Sequence, residues 1–148
     1  MKLSDLIAEP SYEQHIKNNE ANINRVGMSA VTFENNIYSV MDKMTGYNGA
    51  SFLWTEFRSF TGLFAFGDET PVIISGNYIE AETTLELASL LANLMLSNMM
   101  AWHYHEKGDE GLTGYYSNMY HALRNVVLDY LDEHPDEQAL IDILKIID

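Results

Sequence analysis

The chain has no cysteine and few basic residues, with eight lysines and arginines against 22 aspartates and glutamates. Without cysteine, disulfides, thiolate metal sites and cysteine nucleophiles are all excluded. The scarcity of basic residues argues against direct nucleic-acid binding, because that affinity comes mainly from lysine and arginine side chains that neutralise phosphates. We therefore expect a protein that does not bind DNA or RNA directly.

Long hydrophobic runs are also missing. The longest apolar stretch, residues 85–102, is interrupted by one glutamate, two serines and two asparagines. This pattern argues against a membrane span. The first ten residues have no basic segment followed by an apolar one, so they do not read as a signal peptide. The expected location is a reducing cytoplasm, with no membrane partner.

What the chain does contain is apolar residues and acid. At 148 residues with 47% apolar content, it fits one domain with a sizeable core, so we expect residues 1–148 to form a single domain. The net charge is −14, and it is uneven, since residues 51–148 hold sixteen acids and four bases. An acidic surface of this kind either imitates nucleic acid or keeps a small protein soluble and monomeric.

The N-terminal region predicts one short helix. Ser11 and Gln14 have capping-box spacing, which predicts a helix over residues 12–20. The asparagine-rich segment that follows weakens helix propensity, and Gly27 is expected to end the element. We therefore expect the regular helix to cover only residues 12–20.

A second helix and a group of strands follow. Apolar spacing predicts a helix over residues 33–44 with Thr32 as its N-cap. Between residues 50 and 82, short runs of β-forming residues separated by turn signals predict three or four strands in an antiparallel meander. Pro71 is expected at a strand start or edge, because it cannot donate to a ladder.

The rest of the chain is predicted to be helical. Thr83 and Glu86 have capping-box spacing and open a buried central helix that continues to a loop at residues 107–114. A helix over residues 115–133 comes next, and Pro135 fits the first position of a last helix. Helix, meander and helices together predict an α+β fold, a small β-meander of three to four strands packed against several helices.

Candidate catalytic chemistry centres on histidines. His103 and His105 lie two positions apart, so on a helix they point to nearly opposite sides and cannot chelate one ion. Ser117, His121 and Asp129 offer a serine–histidine–acid set, but a serine within a regular helix has no obvious oxyanion hole. We expect no enzyme, no metal and no cofactor. A small metal- or histidine-dependent hydrolase using His103, His105 and His121 stays open as the weakest alternative.

Glycines, aromatic residues and acids follow a definite order from Arg25 onward. Gly27 and Glu34 stand seven positions apart. The further motifs are Tyr38-Ser39-Val40-Met41-Asp42-Lys43-Met44, Tyr47-Asn48-Gly49, Trp54, Glu56-Phe57, Gly62-Leu63-Phe64, Tyr120-His121-Ala122-Leu123-Arg124, Glu133-His134-Pro135 and Ile147-Asp148. In this order they resemble the ArdB/KlcA family of antirestriction proteins, and the resemblance covers all but residues 1–24.

The resemblance implies a non-enzymatic α+β protein of a bacterial cytoplasm, carried on a mobile genetic element. It would relieve Type I restriction of incoming unmodified DNA by contacting the restriction enzyme or an associated host factor. Arg25, Glu34, Trp54 and Asp148 match polar or aromatic positions of the family pattern and are the expected interaction residues. The principal alternative is a nucleic-acid mimic that occupies a DNA-binding protein with the acidic helices of residues 115–148.

Overall fold

Five helices and four strands make up the computed structural model, which describes all of residues 1–148. In chain order the elements are α1 Tyr12–Val26, α2 Ser29–Asp42, β1 Leu53–Phe57, β2 Phe60–Phe64, β3 Pro71–Gly76, β4 Ile79–Thr84, α3 Leu85–Glu106, α4 Glu110–Glu133 and α5 Gln138–Ile147, with a 3-10 turn at Leu3–Asp5 before them. The α+β prediction is confirmed.

The four strands form two separate antiparallel hairpins rather than one continuous meander. β1 pairs with β2 and β3 pairs with β4, and β3 begins at Pro71 as predicted. The outer edge of β2 is occupied by α3 instead of a third strand. There Asn93 accepts a hydrogen bond from the Leu63 amide (3.0 Å) and donates to the Leu63 carbonyl (2.8 Å). Ser89 similarly accepts from the Ala65 amide at 3.1 Å.

Helix α3 is the centre of the core, as its apolar residues predicted. Most of its side chains are buried from Leu85 to Ala101. An aromatic layer lies beside it, in which the Phe33 ring is 6.1 Å from Trp54 and 6.2 Å from Tyr116, measured between centroids. This layer joins α2, the first hairpin and α4 into one core.

Helix α1 is longer than predicted. Ser11 caps it, since its Oγ accepts from the Gln14 amide at 3.1 Å, and Gly27 ends it with φ +62°. The asparagine-rich segment stays helical because two of its asparagines face the core and one of them bonds β1. Asn18 is buried and donates to the Trp54 carbonyl at 2.9 Å, and Asn22 is buried as well. Such contacts outweigh a weak intrinsic propensity.

Helix α2 begins at Ser29, so the predicted N-cap Thr32 lies inside it. The early start follows from the tight corner after Gly27. The buried Ser29 hydroxyl donates to the Val26 carbonyl at 2.8 Å and lies 2.8 Å from the Tyr116 hydroxyl. These bonds fix the first turn of α2 against α1 and α4.

The predicted boundary of α3 is wrong by one residue. Its N-cap is Thr84, whose Oγ1 accepts from the Leu87 amide at 3.4 Å, rather than Thr83. Glu86 does not close a capping box, because its buried carboxylate accepts from the backbone amides of Leu3 and Gly67. That carboxylate ties the N-terminal turn and the loop after β2 to the start of α3.

The boundaries of the last two helices also differ from prediction. α4 begins at Glu110, inside the segment predicted as a loop, because Asp109 caps it by accepting from the Leu112 amide at 3.0 Å. α5 begins at Gln138, and Pro135 lies in the turn before it rather than at its first position. The Asp109 cap therefore stabilises the start of α4 by more than the glycines of that segment destabilise it.

Candidate interaction site

The four residues expected to contact a partner lie on four different parts of the fold. Arg25 is in the last turn of α1, Glu34 on α2, Trp54 on β1 and Asp148 directly after α5. No hydrogen bond or ion pair joins any two of them. Each is therefore described by its own surroundings.

Arg25 is exposed and braces the turn of the first hairpin. Its Nη1 donates to the Ser59 carbonyl at 2.8 Å. Ser59 and its neighbour Arg58 both have left-handed backbones, with φ +72° and +45°. Arg58 is held in turn by Asp129, at 2.5 Å between Nη2 and Oδ2. Two side-chain tethers, one from α1 and one to α4, thus hold a turn that contains no glycine.

Arg25 also lies beside Tyr115 of α4. Burial raises the pKa of the Tyr115 hydroxyl, and the positive charge of Arg25 partly offsets that rise. Because Arg25 reaches both α4 and the hairpin turn while staying exposed, it marks a surface where three elements meet.

Glu34 is half-buried on α2 and influences the next turn of that helix. The pKa of Tyr38 is raised by burial and further by the negative charge of Glu34. The Tyr38 ring meets Phe52 edge-on, with centroids 5.4 Å apart. Glu34 therefore sits where α2 meets the segment that leads into β1, and part of its side chain stays reachable.

Trp54 is 2% exposed, so assigning it to a contact surface is wrong for this structure. Its backbone amide donates to His15 Nδ1 at 2.7 Å, and its carbonyl accepts from Asn18. These two side chains of α1 satisfy the outer backbone groups of β1, while the indole itself packs in the core beside Phe33. Sequence reasoning did not single out His15, and only the fold brings it to this strand.

Asp148 is exposed and pairs with Arg124 of α4, with 3.2 Å between Oδ2 and Nη2. Burial raises the pKa of the neighbouring Tyr120, Asp148 raises it further, and Arg124 lowers it. An exposed ion pair of this kind contributes little to stability. It does hold the C-terminal residue against α4 with its carboxylate in solvent.

An acidic cleft of about 370 Å³ lies between the first hairpin, α4 and the N-terminal turn. Four carboxylates line it, with Arg58 and Tyr130 among their neighbours; these acids are Asp5, Glu56, Asp129 and Glu133. The sequence indicated an acidic face within residues 115–148 only. Asp5 and Glu56 join it through the tertiary fold, which no local pattern reveals.

The histidines do not assemble into a metal or catalytic cluster. No group of three or more histidine and carboxylate side chains is placed to hold an ion. His103 and His105 are exposed near the end of α3. Ser117 and His121 share no hydrogen bond, and Asp129 is engaged by Arg58. The proposed serine–histidine–acid set is thus not formed.

Comparison with known proteins does not assign the chain to a family. No protein-family model matches the chain, and no curated protein matches it either. None of the helices combines the length and apolar content needed to cross a membrane.

Proposed function

We propose that this protein relieves Type I restriction of incoming unmodified DNA by contacting a protein, without catalysing a reaction. The observation that carries the proposal is the order of motifs from Arg25 to Asp148, which resembles that of the ArdB/KlcA family. The proposed partner is the Type I restriction enzyme or a host factor associated with it.

The packing of the motif residues supports the resemblance. Gly62, in the motif Gly62-Leu63-Phe64, lies where β2 meets α3. A Cβ there would come within 2.7 Å of Asn93 Oδ1 and 2.6 Å of the Phe64 ring. Trp54 and Phe57 of the same hairpin are both buried. The motif residues of the first hairpin therefore pack together with α3.

The surface offers three of the four expected contact residues. Arg25 and Asp148 are exposed and Glu34 is partly exposed. Trp54 contributes by supporting the hairpin that Arg25 braces. Replacing Asp148 with alanine should weaken antirestriction activity while leaving the melting temperature nearly unchanged, because its exposed pair with Arg124 contributes only about 0–1 kcal/mol. Arg25→Ala should weaken activity as well, and it should also cost about 1 kcal/mol of stability for the lost hydrogen bond to the Ser59 carbonyl.

The resulting test is a plating experiment. Unmodified phage is plated on a strain with an active Type I system, with and without the gene. We expect the gene to raise plating efficiency toward that of a non-restricting strain. Equal plating with and without the gene would remove the proposal.

A nucleic-acid mimic is the second candidate, and the acidic cleft is the observation that favours it. Asp132 and Asp136 are exposed, stand within three positions of the cleft residue Glu133 in sequence and form no ion pair. Neutralising both as Asp132→Asn and Asp136→Asn removes two charges without disturbing a contact. Matched control changes are Glu9→Gln and Glu20→Gln, at exposed positions elsewhere.

The two candidates give different results in this comparison. Contact through Arg25, Glu34 and Asp148 predicts equal plating for the aspartate and glutamate variants. Mimicry predicts that only the aspartate variant loses activity, and that binding to a purified restriction complex weakens steeply with salt.

A further inference from the structure

Each strand of the two hairpins has one outer edge, and the fold itself bonds three of these four edges. On β1, side chains of α1 bond the amide and the carbonyl of Trp54. On β2, Asn93 of α3 bonds both backbone groups of Leu63. On β3, the Ile73 amide donates to the Thr45 carbonyl at 2.9 Å. Only β4 has no such bond along its outer edge.

The register of the second hairpin shows which groups of β4 face outward. Because the Ile73 amide points away from β4, Ile73 and its partner Glu82 form a non-hydrogen-bonded pair. Glu82 therefore directs its amide and its carbonyl away from β3, and Glu80, two positions earlier, does the same. No hydrogen bond from the rest of the chain reaches these four groups, and both residues are exposed.

The second hairpin is held firmly by its inner face and its turn. Ile74 is buried on that face, and a Cβ on Gly76 would come within 2.8 Å of Ile146 in α5. In the turn, the Asn77 side chain donates to the Lys145 carbonyl at 3.1 Å. The open edge therefore belongs to a strand that is already ordered, which lowers the entropic cost of pairing with another segment.

Charge around this edge is of one sign. Glu80 and Glu82 lie two positions apart, so their side chains project from the same, outer face, and neither forms an ion pair. Asp68 and Glu69 precede β3, and no lysine or arginine occurs in residues 59–106. A strand added here would place its side chains beside both glutamates, where opposite charges stabilise and like charges destabilise. The edge therefore suits a basic segment.

We propose that β4 binds an extended segment of a partner protein that carries lysine or arginine at alternate positions. The segment adds to the second hairpin as a third strand, bonds the outward backbone groups of Glu80 and Glu82, and pairs its basic side chains with their carboxylates. A second copy of this chain does not suit the edge, because antiparallel pairing of β4 with itself would place the glutamates of both copies side by side. This proposal is independent of the antirestriction function.

The first test measures binding of a short, end-blocked peptide of alternating lysine and threonine to the purified full-length chain. Two control peptides keep the same sequence and charge but carry methyl groups on the backbone nitrogens, one on every lysine and the other on every threonine. Because alternate amides of an added strand face β4, at least one control should bind about tenfold more weakly or worse. Equal binding of all three peptides, or no binding up to about 1 mM, would overturn the proposal.

Matched variants of one residue separate the backbone contribution from the charge. Glu82→Gln and Glu82→Pro remove the same carboxylate, but only proline also removes the outward amide, which does not pair with β3. We expect the glutamine variant to bind the peptide severalfold more weakly and the proline variant to lose binding. Glu133→Gln is the control, because Glu133 lines the acidic cleft, and it should leave the affinity unchanged. A loss in Glu133→Gln as large as in Glu82→Gln would place the peptide in the cleft and overturn the proposal.

Amide hydrogen exchange of the wild-type chain locates the contact without any substitution. Adding the unmodified peptide should slow exchange at the amides of Glu80 and Glu82, whose protons face outward in the free chain. Unchanged exchange at both amides under saturating peptide would overturn the proposal.

A charge reversal tests the specificity of the edge. The double variant Glu80→Lys, Glu82→Lys should prefer a peptide of alternating glutamate and threonine over the lysine peptide. An unchanged preference would contradict the proposal. Sedimentation of the chain alone tests the other occupant, since a dimer that Glu82→Pro abolishes would mean that the edge serves a second copy, and the proposal would be rejected.

Discussion

Tyr78, at the tip of the β3–β4 turn, is the most unusual single residue. It is fully exposed and has φ +63°, a region that residues with a Cβ rarely adopt. Asn77 before it also has positive φ, but its side chain is tethered to the Lys145 carbonyl at 3.1 Å. Tyr78 has no hydrogen bond of its own to offset this conformation.

Replacing Tyr78 with glycine should therefore stabilise the fold. Tyr78→Gly removes about 1 kcal/mol of strain from the left-handed backbone. The greater freedom of glycine in the unfolded chain offsets part of this stabilisation. We expect the free energy of unfolding in urea to increase by about 0.5 kcal/mol. Tyr78→Ala keeps the Cβ and should give no gain, and a loss of stability in the glycine variant would contradict the strain.

Tyr116 provides a prediction for alkaline pH. Burial raises its pKa above the ordinary value of 10.0, and the hydrogen bond with Ser29 only partly opposes this. The folded state therefore holds the proton more tightly than the unfolded state, whose tyrosines ionise near 10.0. This contribution to stability is complete below that pH and is lost as the pH rises beyond it.

The comparison that measures this contribution uses Tyr116→Phe. Without a titrating hydroxyl at this site, the decline of unfolding free energy between about pH 8 and about pH 11 should be shallower than in the wild type. At neutral pH the variant should lose only about 1 kcal/mol, for the bond to Ser29. Identical pH profiles for both proteins would show that Tyr116 ionises normally.

Among the secondary-structure elements, the junction of β2 and α3 is the most informative. A helix side chain, Asn93, takes the place of a third strand by bonding both backbone groups of Leu63, and it also donates to the Ser89 carbonyl at 2.7 Å. These atoms are buried, so a partner lost here leaves polar groups unpaired in the core.

Asn93→Leu tests this junction because leucine is similar in size but cannot form these bonds. We expect a loss of roughly 2–4 kcal/mol, since two backbone groups of Leu63 would be left unpaired. Chemical denaturation measures it. Asn35→Leu, at an exposed asparagine of α2, is the control and should change stability by less than about 0.5 kcal/mol. Equal losses in the two variants would mean that the bonds to β2 contribute nothing specific.

This junction also shows what the sequence allowed and what it did not. Runs of β-forming residues with turn signals located the region of the strands and predicted three or four of them, and apolar spacing located the buried helix α3. The separation of the strands into two hairpins depends on Asn93 and Leu63, which lie 30 positions apart. No local pattern contains such a contact.

The sequence also predicted the residues of the candidate site only in part. Motif order selected Arg25 and Asp148, which the structure places on the surface. It also selected Trp54, whose indole is buried beside Phe33 and whose backbone is bonded by His15 and Asn18 of α1. Aromatic residues read the same in sequence whether buried or exposed, so only packing separates the two cases.

For the molecule as a whole, the uneven surface charge is the main feature. Carboxylates converge at the cleft between the first hairpin and α4, whereas no aspartate or glutamate lines the grooves beside Met99 and Trp102 of α3. Arg25 lies near the hairpin turn and Asp148 at the other end of the chain. The acidic cleft and the exposed apolar side chains of α3 are therefore two separate features of the surface.

Restriction relief as a function of gene dose is the decisive measurement. The gene is expressed from an inducible promoter in a Type I restricting strain, and both modified and unmodified phage are plated. We predict that plating of unmodified phage rises with induction while modified phage plates equally at every level. No rise at any level of induction, with the protein present and folded, would contradict the proposed function.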